Sequence, residues 1–264
     1  MQDKYVGDVG DFGKYALLRA MQKEPGLSLG VVWYLVNPDH TDGKHQVNDG
    51  KHVGYLGGTG KPDMGLRKQD QELFDCLRSI VEKKKRNIQS IEGGGVLTSN
   101  TAYFNDLVSK SKADRASYKE YRERWANAAL KSVEGKDIVF LDPDNGLASD
   151  KRNGGKREDA KCILRSELAK FWGDGKRVVV LYHHLSKAEK HDAQIIRLMG
   201  EIEVRLNNAL VLPLRYRRGS SRVYFVIVPK DNKAEQWRNL LHEFIKPWPD
   251  KSFECKCDLC EKSK

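Results

Sequence analysis

Apolar residues in this chain gather into short unbroken runs, set apart by stretches in which they recur with helical spacing. Residues 29–36, 137–142, 177–182, 209–215 and 222–228 form the runs, rich in Val, Ile, Leu and aromatics. Such continuity predicts strands covered on both faces. Residues 12–23 carry Phe12, Tyr15, Ala16, Leu18 and Met21 at helical spacing, with Asp11 expected as the N-cap. Helices are likewise predicted over 69–85, 113–133, 158–172 and 190–206, the second with Tyr118, Tyr121, Trp125 and Ala129 on one face. Residues 88–91 and 96–99 read as a short strand-like pair. Strands alternating with helices and finishing in a hairpin predict an α/β fold: a mainly parallel sheet flanked by helices, with one antiparallel edge strand. The Gly-rich residues 41–68 read as a long connection, either functional or simply a surface loop.

Composition narrows the partners. The 264 residues suit one large domain, expected over 1–250 with a helical insertion at about 62–134, followed by a Cys-bearing tail at 251–264. A formal net charge of +10 favours a polyanion, since neutralised phosphates release counterions; an anionic membrane surface is the competing partner. No segment approaches the roughly 20 apolar residues of a membrane span, and the polar start Met1-Gln2-Asp3-Lys4 lacks a signal-peptide core. A cytoplasmic protein without a membrane role is expected. Five cysteines do not make a secreted disulfide framework. Cys255, Cys257 and Cys260 could clasp a structural zinc if a fourth ligand such as His242 folds back, or form a reduced tail.

The chemistry-bearing residues collect at predicted strand ends. The run 137–142 stops at Asp142-Pro143-Asp144-Asn145-Gly146. In open α/β sheets ligands bind beyond the carboxyl ends of such strands, so Asp142, Asp144 and Asn145 are expected at a working edge; the plain alternative is a turn. Asp8, Asp11, Lys14 and Tyr15 surround the first helix start, where capping alone could explain the acids. Asp39 follows the first strand, and His183, His184 and Lys187 follow the strand at 177–182, where either histidine could instead be a hydrogen-bonded core residue. Two basic loops, Lys151, Arg152, Lys156 and Arg157, then Arg215, Arg217, Arg218 and Arg222, could contact phosphates or be merely solvated.

Order and spacing across residues 5–245 resemble the bacterial family that methylates N6 of an adenine in large-subunit ribosomal RNA. Gly10-Asp11-Phe12-Gly13-Lys14-Tyr15 stands where that family has a glycine-asparagine-phenylalanine helix start, and Asp142-Pro143-Asp144-Asn145 where it has Asp-Pro-Pro-Tyr. Tyr182-His183-His184 and the hairpin at 209–228 stand for its next strand end and closing hairpin. The resemblance implies a methyltransferase-like sheet, S-adenosylmethionine near the first strand and a base pocket at Asp142. Two departures are specific. Val36-Asn37-Pro38-Asp39-His40-Thr41-Asp42-Gly43 replaces the small glycine-rich turn beside the methyl donor, and Asp144-Asn145 replaces a proline and a stacking aromatic.

These departures, with the acids and the basic balance, lead to a DNA glycosylase as the expected activity. It would hydrolyse the N-glycosidic bond of a flipped, modified base without a cofactor, with defence against phages carrying altered DNA as its context. DNA is expected ahead of RNA. An S-adenosylmethionine-dependent adenine-N6 methyltransferase, a metal-dependent nuclease and a binding module without catalysis remain the alternatives.

Overall fold

A computed structural model describes residues 3–24, 26–36, 52–58, 60–109, 117–152, 157–231, 233–249 and 252–255. Its helices are α1 (Val9–Met21), α2 (Met64–Arg67), α3 (Gln71–Glu82), α4 (Ile88–Glu92), α5 (Tyr118–Ser132), α6 (Arg157–Ala160), α7 (Arg165–Trp172), α8 (His191–Arg205) and α9 (Ala234–Ile245). Its strands are β1 (Leu29–Trp33), β2 (Leu35–Val36), β3 (Thr101–Phe104), β4 (Leu107–Ser109), β5 (Ile138–Asp142), β6 (Gly146–Ala148), β7 (Cys162–Leu164), β8 (Val178–His184), β9 (Ala209–Tyr216), β10 (Arg222–Pro229) and β11 (Phe253–Cys255). Seven strands form one sheet in the order β11-β9-β10-β8-β5-β1-β3, and β2 with β4 and β6 with β7 form two small parallel pairs. β3, β1, β5 and β8 run parallel, whereas β10 is antiparallel to both β8 and β9, and β11 is antiparallel to β9. The predicted α/β class holds, with more antiparallel character than one edge strand.

Helices cover both faces because the central strands are apolar on both sides. Val31, Trp33, Phe140 and Val180 join Phe12, Leu17 and Phe74 in one core, under α1, α3 and α9. Val32, Tyr34, Val139, Leu141 and Val179 join Trp125, Phe171 and Ile195 in the other, under α5, α7 and α8. Each large apolar side chain removed from water here contributes about 1.5–3 kcal/mol before entropy is counted. No helix among the described residues is long and apolar enough to cross a membrane.

The topology selects one edge of the sheet. From β1 the chain passes to β3 on one side and returns to β5 on the other. The carboxyl ends of β1 and β5 therefore flank a point where connections diverge, the place at which open α/β sheets form a crevice. Asp142 is the last residue of β5 and pairs in register with Trp33, the last of β1.

Several expected elements differ. Residues 88–92 are helical, because the Asn87 side chain accepts from the Ser90 amide at 2.9 Å while Ile88 and Ile91 bury one turn apart. The strand expected at 96–99 begins instead at Thr101 and belongs to the main sheet, so residues 62–134 are not a purely helical insertion. The helix expected over 158–172 is broken by β7, which pairs with β6, and the Glu167 carboxylate then accepts from the Leu164 amide to start α7. Arg122 from α5 locks this break. It pairs with Glu167 through Nε–Oε1 at 2.6 Å and Nη2–Oε2 at 2.9 Å, and donates to the Tyr118 hydroxyl and the Asp159 and Cys162 carbonyls. Residues 253–255 are an edge strand of the main sheet, so the tail expected from 251 is partly integral to it.

Candidate active site at the carboxyl edge of the sheet

The site is built on the start of α1. Asp8, not Asp11, is the N-cap: its Oδ1 accepts from the Gly10 and Asp11 amides at 2.7 and 3.0 Å. Two glycines let the helix approach the hairpin of β9 and β10. A Cβ at Gly10 would lie 1.4 Å from Nη1 of Arg222, and one at Gly13 would lie 2.7 Å from the Tyr216 ring. The Tyr216 and Tyr224 hydroxyls donate to the Val9 and Gly10 carbonyls at 3.0 and 3.4 Å, satisfying polar groups that docking takes from water.

This docking aims Lys14 across the sheet. Its ammonium donates to Asp11 Oδ1 and to Asp142 Oδ2, both at 2.9 Å, and lies 5.3 and 5.7 Å from the Tyr15 and Trp33 ring centroids. Lys14 is 3% exposed, Asp11 2% and Asp142 3%, so the trio is a buried two-acid, one-base network. Burial raises the Asp11 carboxyl to about 6; Lys14 opposes the rise, and Asp8 and Asp142 add to it. For Lys14, burial alone would lower the pKa, but Asp11 and Asp142 outweigh it and hold the amine well above its ordinary range. Lys14 is thus a fixed positive counter-charge, whereas Asp11 is poised to exchange a proton near neutrality. Tyr15, expected to bind substrate, is fully buried beneath this network, and its hydroxyl has no hydrogen-bond partner among the described residues.

Asp144 and Asn145 form a half-buried rim beyond Asp142. Asn145 donates from its amide nitrogen to the Lys161 carbonyl and from Nδ2 to Glu158 Oε2, each at 2.9 Å, and Lys161 pairs with Glu158 at 3.0 Å. Glu158 and Lys161 were not anticipated as site residues; they reach Asn145 only through the nonlocal pairing of β6 with β7. His184 stands on the rim opposite Arg222 in the β8–β10 register, its pKa lowered by partial loss of solvent around the ring and by the Arg222 charge.

His183 departs from the expected substrate-binding role. Alternation along β8 turns it to the face of the sheet away from Lys14, where Nδ1 accepts from the Leu147 amide at 3.0 Å. Burial lowers it to about 4, so it is neutral scaffolding for the turn after Asp142. Gly146 completes that turn at φ 85°, and a Cβ there would lie 2.3 Å from His183 Nδ1.

The arginine-dense hairpin is not a free row of phosphate donors. Arg222 is 6% exposed and lies against the start of α1, bonded to Ser220 through the carbonyl at 3.2 Å and the hydroxyl at 2.8 Å. Arg215 meets Asp192 at 3.1 Å and His191 at 2.8 Å, Arg217 meets Glu254 at 2.7 Å, and Arg218 pairs with Asp63. The partners of Arg215, Arg217 and Arg218 are all remote in sequence. Lys151, Arg152 and Lys187 are exposed, Arg152 lying 3.5 Å from Asp159. Asp39, Lys156, Cys257, Cys260 and the Arg157 side chain lie outside the described residues; Cys255 is half-buried on β11. Among the described residues no three His, Cys, Asp or Glu side chains gather as a metal-binding group.

A cavity of about 320 Å³ opens at the opposite edge of the sheet, between Leu27, Asp137, Arg177 and Trp237. Its Asp137 accepts from the Ser28 amide and hydroxyl at 2.8 and 2.6 Å, and Arg177 donates to the Val133 carbonyl at 3.1 Å, so structural bonds engage both groups. The buried charge network at the carboxyl edge therefore makes the stronger candidate site than this cavity. No family model matches the chain, and no curated protein matches it.

Proposed function

We propose that the chain is a nucleic-acid-acting hydrolase, a DNA glycosylase that releases a modified base from a flipped nucleotide. The observation carrying this reading is the buried Asp11–Lys14–Asp142 network at the divergence of β1 and β5, with Asp144 and Asn145 on its rim. In N-glycosidic hydrolysis positive charge develops on the sugar, and carboxylates ahead of it offset that charge. Asp144 on the rim takes that role here, backed by Asp142, whose charge is shared with Lys14. Water adds to the anomeric carbon, its proton passes to a rim carboxylate, and the bond's electron pair leaves with the base. In this reading His184 and Asn145 hydrogen-bond that base. Lys14 bridges the two buried acids as their counter-charge, and because it stays protonated it does not serve as an amine nucleophile. The net charge of +10 supports a polyanionic substrate.

The methyltransferase reading ranks second. The divergence of strands at β1 and the antiparallel β10 support a scaffold of that type. However, the Asp142 carboxylate that would receive an adenine amino group already accepts from the Lys14 ammonium, a poor fit to that role. The same ammonium sits between the acids a nuclease would need for a divalent cation, so its charge opposes the metal there. Bulky pyrimidine modifications, as phage genomes carry, are the first substrates to test, with defence as the biological setting. The discriminating experiment incubates the protein in EDTA with normal, hydroxymethylated and glucosylated DNA, then analyses released bases and methylated nucleosides by mass spectrometry. Base release with abasic sites is expected. Methyl incorporation from S-adenosylmethionine, or strand cutting restored only by Mg²⁺, would transfer the protein to the corresponding rival class.

A further inference from the structure

The end of α3 carries a feature that the proposed chemistry does not use. Lys83, Lys84, Lys85 and Arg86 follow one another where the helix stops. Lys84 takes a left-handed φ of 55°, and the Lys85 amide turns back to the Ile80 carbonyl at 3.0 Å. The three lysines therefore fan outward rather than continuing one helical face. All three are exposed and make no ion pair with a described residue, while the nearby Glu82 is taken by Arg78 at 2.7 Å.

Arg86 behaves differently. It donates from Nε to the Val6 carbonyl at 2.7 Å and from Nη2 to the Lys4 carbonyl at 2.6 Å. Asp3 Oδ1 accepts from the Ile88 amide at 3.0 Å, and Val81 packs at Gly7, where a Cβ would lie 2.6 Å from its methyl group. One cation of the run is thus spent fixing the whole turn against residues 3–7, the segment that delivers Asp8 to the candidate site. The other three are held at that border. Cations at a helix end interact favourably with the helix dipole, a requirement that one side chain can meet. Three adjacent unpaired ammonium groups repel one another, a cost that a bound polyanion removes.

We propose that Lys83, Lys84 and Lys85 form a phosphate-binding rim that seats a nucleic-acid strand beside the carboxyl edge of the sheet. The proposal rests on the reading of that edge as a nucleic-acid site, and it supplies the strand contact that the internally paired arginine hairpin does not. Phosphate contacts set register and affinity without reading sequence. Affinity through this rim should fall steeply with salt, each lysine that meets a duplex phosphate adding about 0.9 to the slope of log K against log salt.

The test measures fluorescence anisotropy of a labelled, unmodified duplex from low to moderate salt in EDTA, so that no turnover enters the readout. The variant K83Q/K84Q/K85Q is compared with K119Q/K131Q/K230Q, which removes the same charge from exposed lysines elsewhere. Thermal unfolding checks that both fold. The rim variant should lose about 2–3 from the salt slope, with the comparison variant close to wild type. Equal losses in the two variants would reduce the effect to net charge and overturn the rim, as would an unchanged slope. Wild-type protein that ignores DNA but binds phosphatidylserine vesicles through these lysines would overturn the nucleic-acid assignment. Base release with an unchanged slope would remove the rim and leave the glycosylase standing; a reduced slope without base release from any tested DNA would do the reverse.

Discussion

Replacing Lys14 by Met tests the electrostatic design of the site most severely. Methionine keeps most of the buried volume and removes the ammonium that lies 2.9 Å from both Asp11 and Asp142. Two buried carboxylates then face each other without a counter-ion, and removing one partner from such a network costs about 3–5 kcal/mol. A domain with about 5–15 kcal/mol of stability would remain folded but visibly weakened. The two acids should then share a proton, with at least one folded-state pKa pushed further above the 3.8 of an exposed aspartate. An acid whose pKa is raised on folding binds a proton more tightly in the folded state, so K14M should regain stability as pH falls from about 8 to 5. Urea unfolding at several pH values reads both effects. Adding Asp11→Asn and Asp142→Asn to K14M removes the repulsion and should recover all but about 1–2 kcal/mol, the ordinary cost of imperfectly paired buried amides. A loss below about 1 kcal/mol in K14M, or no recovery in the triple variant, would refute Lys14 as the counter-ion on which these acids depend.

His183 gives a second pH signature, of opposite sign to that of Asp11. Its folded pKa of about 4, against 6.5, means that the unfolded chain takes up the proton first; stability present above 6.5 is lost as pH falls through about 4, by about 3 kcal/mol in all. Asp11, raised to about 6, works the other way, its contribution being present below 3.8 and lost as pH rises through 6, so the wild-type curve alone mixes them. The difference between wild type and H183N, whose amide oxygen can still accept from Leu147, should isolate the histidine slope by urea unfolding; a pH-independent difference would contradict its buried neutral state. Gly10→Ala should cost about 1–3 kcal/mol by forcing Arg222 aside, whereas Gly200→Ala, where a Cβ meets nothing within 4 Å inside α8, should be neutral or stabilising by up to about 1 kcal/mol. Denaturant midpoints for the two variants decide it.

What could be read from the chain follows the range of the interactions. Asp142 was legible because a run of apolar residues ending in an acid is a local pattern, and the parallel core followed from several such runs. The cap of α1 was misplaced by three residues because Val9 and Gly10 extend the helix ahead of Phe12, the first residue of the visible apolar period. Cys162, Ile163 and Leu164 fit a helix as readily as a strand; only pairing with residues 146–148 and the bonds from Arg122 decide between them. His183 and His184 differ by one position and face opposite sides of the sheet, which no local composition can apportion. The arginines of the hairpin looked available because Asp63, Asp192 and Glu254 are distant in sequence and arrive through α2, α8 and β11.

Under the proposed glycosylase function, the carboxylates at the end of β5 act in hydrolysing a base from nucleic acid. Single-turnover base release in EDTA by wild type, Asp142→Asn and Asp144→Asn, on whichever modified DNA the wild type cleaves, decides this, with duplex affinity determined on the same preparations. Loss of a group that stabilises only the transition state lowers the rate without weakening binding, and removing one negative charge near phosphate leaves affinity equal or higher. The variant that lacks the reacting carboxylate should show abolished release with retained or tighter binding. Full-rate release by both variants would exclude these carboxylates from the reaction.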